Sequence, residues 1–117
     1  MTTIVWVSRH APLPAQIRAL RERFGENARI IVDPRPFSSA EEIVQRFREV
    51  NGDEMVVVAP LSVIAALCAQ GIRPLYARMV QIPAVEDPDT DCWASGRAYR
   101  FVQFERISEV RLVTEPL

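Results

Sequence analysis

The sequence predicts an α/β domain built on a mostly parallel sheet. Three observations carry this. Short runs of β-branched and aromatic residues alternate with segments whose apolar residues recur at helical spacing. At least one run, Met55-Val56-Val57-Val58-Ala59, is apolar at every position, as a strand covered on both faces requires. The chain has 117 residues, which suits a single domain spanning 1–117.

Thr3-Ile4-Val5-Trp6-Val7 reads as the first strand and runs directly into Ser8-Arg9-His10. Pro14 suits the first turn of the helix that follows, where its missing N–H costs nothing. Ile17, Leu20 and Phe24 give that helix an apolar face, and Gly25 stands ready to close it. Arg29 to Val32 reads as a second strand ending in a stiff loop, Asp33-Pro34-Arg35-Pro36-Phe37. Ser39 with Glu42 matches a capping box, and Ile43, Val44, Phe47 and Val50 form one face of the helix that it starts. Asn51-Gly52-Asp53 stops this helix.

The apolar strand from Met55 to Ala59 leads through Pro60-Leu61-Ser62 to a third helix, Val63 to Ala69. That helix is apolar on almost every side, which predicts burial, in part against a partner subunit. Gly71 ends it. Pro74 to Val80 reads as a fourth strand, with Gln81-Ile82-Pro83 at its end. Residues 84–96 are acidic and rich in turn formers, as expected of a surface loop or flap. In the C-terminal extension, 97–117, Tyr99 to Glu105 alternates with period two and Val110 to Thr114 is a second β-like run. A turn near Ser108 would make them a hairpin. Strands alternating with helices imply right-handed crossovers. The expected architecture is therefore a Rossmann-like three-layer domain with a C-terminal β-hairpin extension.

Composition narrows the function. A net charge of −1 supplies no global field for duplex nucleic acid, so an anionic ligand must be held by local groups. The two cysteines, Cys68 and Cys92, are too far apart in sequence to suggest a zinc site or a disulfide framework. No glycine-rich loop follows a strand, so neither a P-loop nor a dinucleotide fingerprint is present. The single histidine and the scattered carboxylates predict no metal and no cofactor. No signal peptide is visible and no apolar run is long enough to span a bilayer, which points to a cytoplasmic protein with no membrane partner.

In a parallel sheet the loops after the strands share one edge, where open α/β folds bind ligands. Four loops would meet there: Ser8-Arg9-His10, Asp33-Pro34-Arg35, Pro60-Leu61-Ser62 and Val80-Gln81. Ser8, Arg9 and His10 place a hydroxyl, a fixed cation and a group titrating near neutrality in succession, which suits phosphate. Arg35 would add charge, and Ser62 would cap the third helix and present its free N–H groups to an anion. Plainer roles stand beside these. His10 would be a surface residue, Arg9 a partner of Asp33, Ser62 only a cap, and Arg35 only a solvated loop residue. Trp93 would serve as a lid or a subunit contact; Arg97 and Arg100, flanking Tyr99, would track phosphate or simply solvate a strand face. A strand ending in Arg-His also resembles histidine phosphatases, but those need a second histidine, and this chain has none.

Two segments together resemble small CRISPR-associated proteins of type III systems. One is the first strand with Ser8-Arg9-His10, Pro14 and Gln16. The other runs from Val56 through Pro60-Leu61-Ser62 and Leu67-Cys68-Ala69-Gln70-Gly71 into Pro74-Leu75-Tyr76. Pro60 precedes Leu61 where the family has leucine before proline, and His10 is followed by Ala11-Pro12 instead of directly by proline. The resemblance implies a Rossmann-like homodimer that handles cyclic oligoadenylate, above all the tetra-adenylate ring, either as a ring nuclease or as a non-catalytic sink or sensor. Taken with the converging loops, this activity would use His10, Arg9 and Ser8 as catalytic residues and Arg35, Pro60, Leu61, Ser62 and Gln81 as ligand-binding ones. The ribose 2′-hydroxyl would be the nucleophile, so no metal is called for. An unrelated α/β interaction module is the remaining reading.

Overall fold

The computed structural model describes residues 1–117. Three helices and six strands follow in the order β1 (Thr3–Val7), α1 (Pro14–Phe24), β2 (Arg29–Asp33), α2 (Ala40–Glu49), β3 (Glu54–Val57), α3 (Leu61–Ala69), β4 (Leu75–Ile82), β5 (Asp91–Ala94) and β6 (Arg97–Arg106). All strands belong to one sheet of order β2-β1-β3-β4-β6-β5. The sheet is mixed. β2, β1, β3 and β4 run parallel, whereas β6 runs antiparallel to both β4 and β5.

Alternation along the central strands sorts their side chains onto two cores. Val5, Val7, Met55 and Val57 pack with Ile43 and Val44 of α2 and Ile64 and Leu67 of α3. Ile4, Trp6 and Val56 pack on the other face with Leu20 and Phe24 of α1 and with Phe104 of β6. Trp6 meets Phe104 edge to face, with ring centroids 6.1 Å apart.

The helix boundaries follow from local chemistry. Pro14 occupies the first turn of α1, and Gly25, at φ 113°, closes it by donating its N–H to the Arg21 carbonyl. The Ser39 hydroxyl accepts the Glu42 N–H at 3.3 Å, as the capping box requires. The Glu42 carboxylate, however, accepts the N–H of Ser38 rather than that of Ser39. Gly52 passes so close to α2 that a methyl group there would sit 2.5 Å from the Phe47 ring.

Three expectations are corrected. α3 begins at Leu61 with Pro60 as its cap residue and no side-chain cap, so Ser62 lies inside the first turn, exposed, and caps nothing. Only Ile64 and Leu67 of α3 are buried, and Leu61 is 70% exposed. The hairpin joins β5 to β6 through Ser95-Gly96, both at positive φ, whereas Val110 to Thr114 has no strand partner. Apolarity alone does not make a strand, and Val110 to Thr114 lies beyond the last element that could pair with it.

The acidic segment is also more ordered than a flap. Asp91 is buried and accepts the N–H groups of Glu86 and Asp87, the Thr90 hydroxyl and the Arg100 guanidinium, whose Nε lies at 2.8 Å. The Asp89 carbonyl accepts the Ala15 N–H, tying the segment to the start of α1. Arg100 is thus committed to Asp91 and Glu86 and is not available to track phosphate.

Candidate functional site

β1 lies at the centre of the crossovers. The chain leaves it for β2 on one side and returns through α2 to β3 on the other. Ligands of open α/β sheets bind at such a switch, outside the carboxyl ends of the strands. Ser8-Arg9-His10 leaves β1 at that point.

This tripeptide is held from within. The Trp6 indole donates its Nε1–H to the His10 carbonyl at 2.8 Å. The Ser8 hydroxyl oxygen accepts the His10 N–H at 3.1 Å. Both main-chain groups of His10 are therefore fixed, one by the buried Trp6 and one by the buried Ser8, while the side chains of Arg9 and His10 face solvent. Arg9 forms no ion pair. The result is a rigid ridge carrying an unpaired cation and an imidazole.

A cleft flanks the ridge on each side. The first, about 290 Å³, lies towards β2 and is lined by Ser8, Arg9, His10, Arg35, Phe37 and Val58 among others. Arg35 is not a free cation there. Its Nε and Nη2 donate to the two carboxylate oxygens of Asp33 at 2.9 and 2.8 Å. The Arg35 hydrogen bond, outweighing the cost of burial, holds the Asp33 carboxyl below its usual range, and the same pairing raises Arg35. Asp33 thus pairs with Arg35 and leaves Arg9 unpaired.

The second cleft, about 410 Å³, lies towards β4. β3 and β4 share a single paired position, Val56 with Leu75, after which β4 runs on to Ile82 with no strand partner on its β3 side. At the opposite end the two halves of the sheet are joined. There Arg106 of β6 donates to Glu54 of β3 and to the Arg73 carbonyl. The sheet is stapled at one end and parted at the other, and the apolar cleft occupies the gap. Its walls include Val56, Val58, Ala77, Met79 and Tyr99. Burial, followed by the nearby charge of Asp91, pushes up the thiol of Cys92, which lines this cleft.

Of the predicted residues, Ser8, Arg9, His10 and Arg35 come together. Pro60, Leu61, Ser62 and Gln81 line neither cleft. The edge near α3 is supplied instead by Val58, because α3 starts only after Pro60. Gln81 lies within β4 opposite Tyr99, since that strand extends past its expected end. Trp93 is no lid. Cys92 and Ala94 line the cleft, so by alternation Trp93 is on the other face, 59% exposed. Both cysteines are free, and no cluster of three or more His, Cys, Asp or Glu side chains forms.

Trp6 and Gln16 are the residues that sequence reasoning missed at the site. Trp6 looked like an ordinary core residue of an apolar strand. Gln16, three residues after Leu13, carried the available signal, a side-chain acceptor in the first turn of a helix. Comparison of the chain with protein-family models, with curated proteins and with solved structures gives no match.

Proposed function

We propose that this chain is a metal-independent ring nuclease that opens cyclic oligoadenylate, foremost cyclic tetra-adenylate, at the Ser8-Arg9-His10 ridge. The observation that carries the reading is the pairing pattern. Arg9 is left unpaired beside His10 on a fixed backbone, at the carboxyl end of β1. The sequence resemblance to type III CRISPR-associated proteins supplies the substrate class.

The chemistry is an in-line transfer. The ribose 2′-oxygen forms a bond to the adjacent phosphorus as the bond from phosphorus to the 5′-oxygen breaks. His10 accepts the 2′-hydroxyl proton; water delivers a proton to the departing 5′-oxygen, and His10 then returns its own proton to the solvent, which restores the balance. Arg9 offsets the charge that grows on the non-bridging oxygens. The product is linear and ends in a 2′,3′-cyclic phosphate, and no water is consumed.

The same reading includes a Rossmann-like domain, a two-fold homodimer and a cytoplasmic setting. Strand order and the division of helices between the two sheet faces support the first. The second is supported by the uncovered face carrying Tyr76, Val80 and Trp93. For the third there is only the absence of any helix long and apolar enough to cross a membrane. A dimer would present two copies of His10 to a ring of matching symmetry.

A sink or sensor of the same ligand is the second reading. It is favoured by one feature: apart from His10, no Asp, Glu, Lys, Cys or Tyr lines the polar cleft to act as a second proton-transfer group.

Incubation with cyclic tetra-adenylate in EDTA, with products resolved by mass spectrometry, tests the proposal. Linear di-adenylate with a 2′,3′-cyclic phosphate is the expected product. An intact ring that co-elutes with the protein would establish the sink, and an intact ring that does not would overturn both readings. In His10→Ala, cleavage should fall by about 100-fold or more while ligand binding survives.

A further inference from the structure

The second cleft has chemistry of its own. Gln16 is only 5% exposed and lines the cleft. Oε1 is committed, accepting the Leu13 N–H at 2.8 Å. That commitment fixes which end of the amide is the donor end. Nε2 carries two N–H groups, and its only partner is the Met79 thioether at 3.8 Å, a weak acceptor. A buried donor with so poor a partner is costly unless something else accepts from it.

The surroundings say what that acceptor is. The walls are largely apolar and include Tyr99 and Met79, residue types that pack well against an aromatic ring. The cleft also shares Ser8, Arg9, His10 and Val58 with the polar cleft across the ridge. A ligand straddling the ridge would meet a cation on one side and a largely apolar cleft with an amide donor on the other.

We propose that the apolar cleft is a base pocket. It takes the purine ring of a nucleotide whose phosphate lies on the Ser8–His10 ridge, with Gln16 Nε2 donating to a ring nitrogen. The inference rests on the phosphate reading of the ridge given above and adds the specificity element to it. Gln16 thereby does two jobs, capping the start of α1 and reading the base.

Calorimetric titration of the full chain with adenosine 5′-monophosphate and with ribose 5-phosphate tests the pocket without any variant. Stacking and the amide contact should make the nucleotide bind at least about fivefold more tightly. Two substitutions on different walls then locate the effect. Gln16→Glu keeps an acceptor for the Leu13 N–H and removes both donors; Ala94→Phe fills the slot from β5. Each should weaken the nucleotide by about tenfold and narrow its advantage over ribose 5-phosphate, with an unchanged melting temperature showing that the fold is intact. Equal affinity for the two probes, no nucleotide binding at millimolar concentration, or wild-type nucleotide affinity in both variants would overturn the pocket. Selective nucleotide binding alongside an intact cyclic tetra-adenylate would instead overturn the ring nuclease and leave the pocket standing.

Discussion

The two arginines of the polar cleft differ in what they can give a ligand. Arg35 is already neutralised by a two-pronged contact with Asp33, whereas Arg9 has no counter-ion. A charge-assisted hydrogen bond contributes about 1.5–3 kcal/mol. Arg9→Ala should therefore weaken cyclic tetra-adenylate binding by about tenfold to a hundredfold, and Arg35→Ala by much less, as titration calorimetry would read. A larger loss in the Arg35 variant would mean that Asp33 releases its partner to the ligand. The sequence named both arginines but not which was free. The intervening Pro34 suggested only a stiff loop, whereas it is the Asp33 carboxylate, accepting both the backbone N–H and the side chain of Arg35, that decides.

At the scale of elements, the acidic segment before β5 shows how a stretch read as loop becomes structure. Glu86 to Asp91 carries four carboxylates among turn formers, and nothing in that pattern predicts a strand. The strand exists because Asp91 is buried among five donor groups and its neighbours pair with β6. The Arg100 guanidinium is the first cause that holds its carboxyl far below the usual range, and the bonds from Asp87, Glu86 and Thr90 add to it. A group depressed in the folded state contributes stability that is fully present above its unfolded value, near 3.8, and lost as pH falls below it. Scanning calorimetry should show the melting temperature dropping as pH goes from about 5 to 3. Asp91→Asn should melt lower at pH 7 and lose less on acidification. An identical acid slope in that variant would assign the loss to other carboxylates. By contrast, α1, α2 and the first three strands were legible, because each is set by local punctuation and period: Pro14 and Gly25, Ser39 and Asn51, and the unbroken run of β3.

The molecule as a whole is flat, about 45 by 44 by 25 Å, with a radius of gyration of 15.2 Å. A compact chain of this length is expected near roughly 13 Å. The excess comes from the β4–β6–β5 half of the sheet, which has no helix on the face bearing Tyr76, Val80 and Trp93, and from the segment after β6. Ile107 still packs on the core and donates its N–H to the Pro74 carbonyl, but residues 108–117 are all exposed. Deleting residues 108–117 should change unfolding free energy by less than about 0.5 kcal/mol in a urea titration. A larger loss would show that this segment covers the open sheet face in solution. The parallel half was legible from the sequence because its strands are buried and alternate with helices. The antiparallel half was legible only in part, because half-exposed strands such as β4 mix arginine and glutamine with apolar residues.

The hydrogen bond from the Trp6 indole to the His10 carbonyl has an optical consequence. The chain has two tryptophans, and the other, Trp93, lies on the far face of the sheet. With Trp93→Phe, the remaining fluorophore is the one whose ring nitrogen touches the ridge. Its emission should shift or quench when a nucleotide seats there and stay constant when the nucleotide is absent. The protein thus carries a native fluorescent reporter at the point where its chemistry is proposed to occur, and occupancy can be followed in real time without a label.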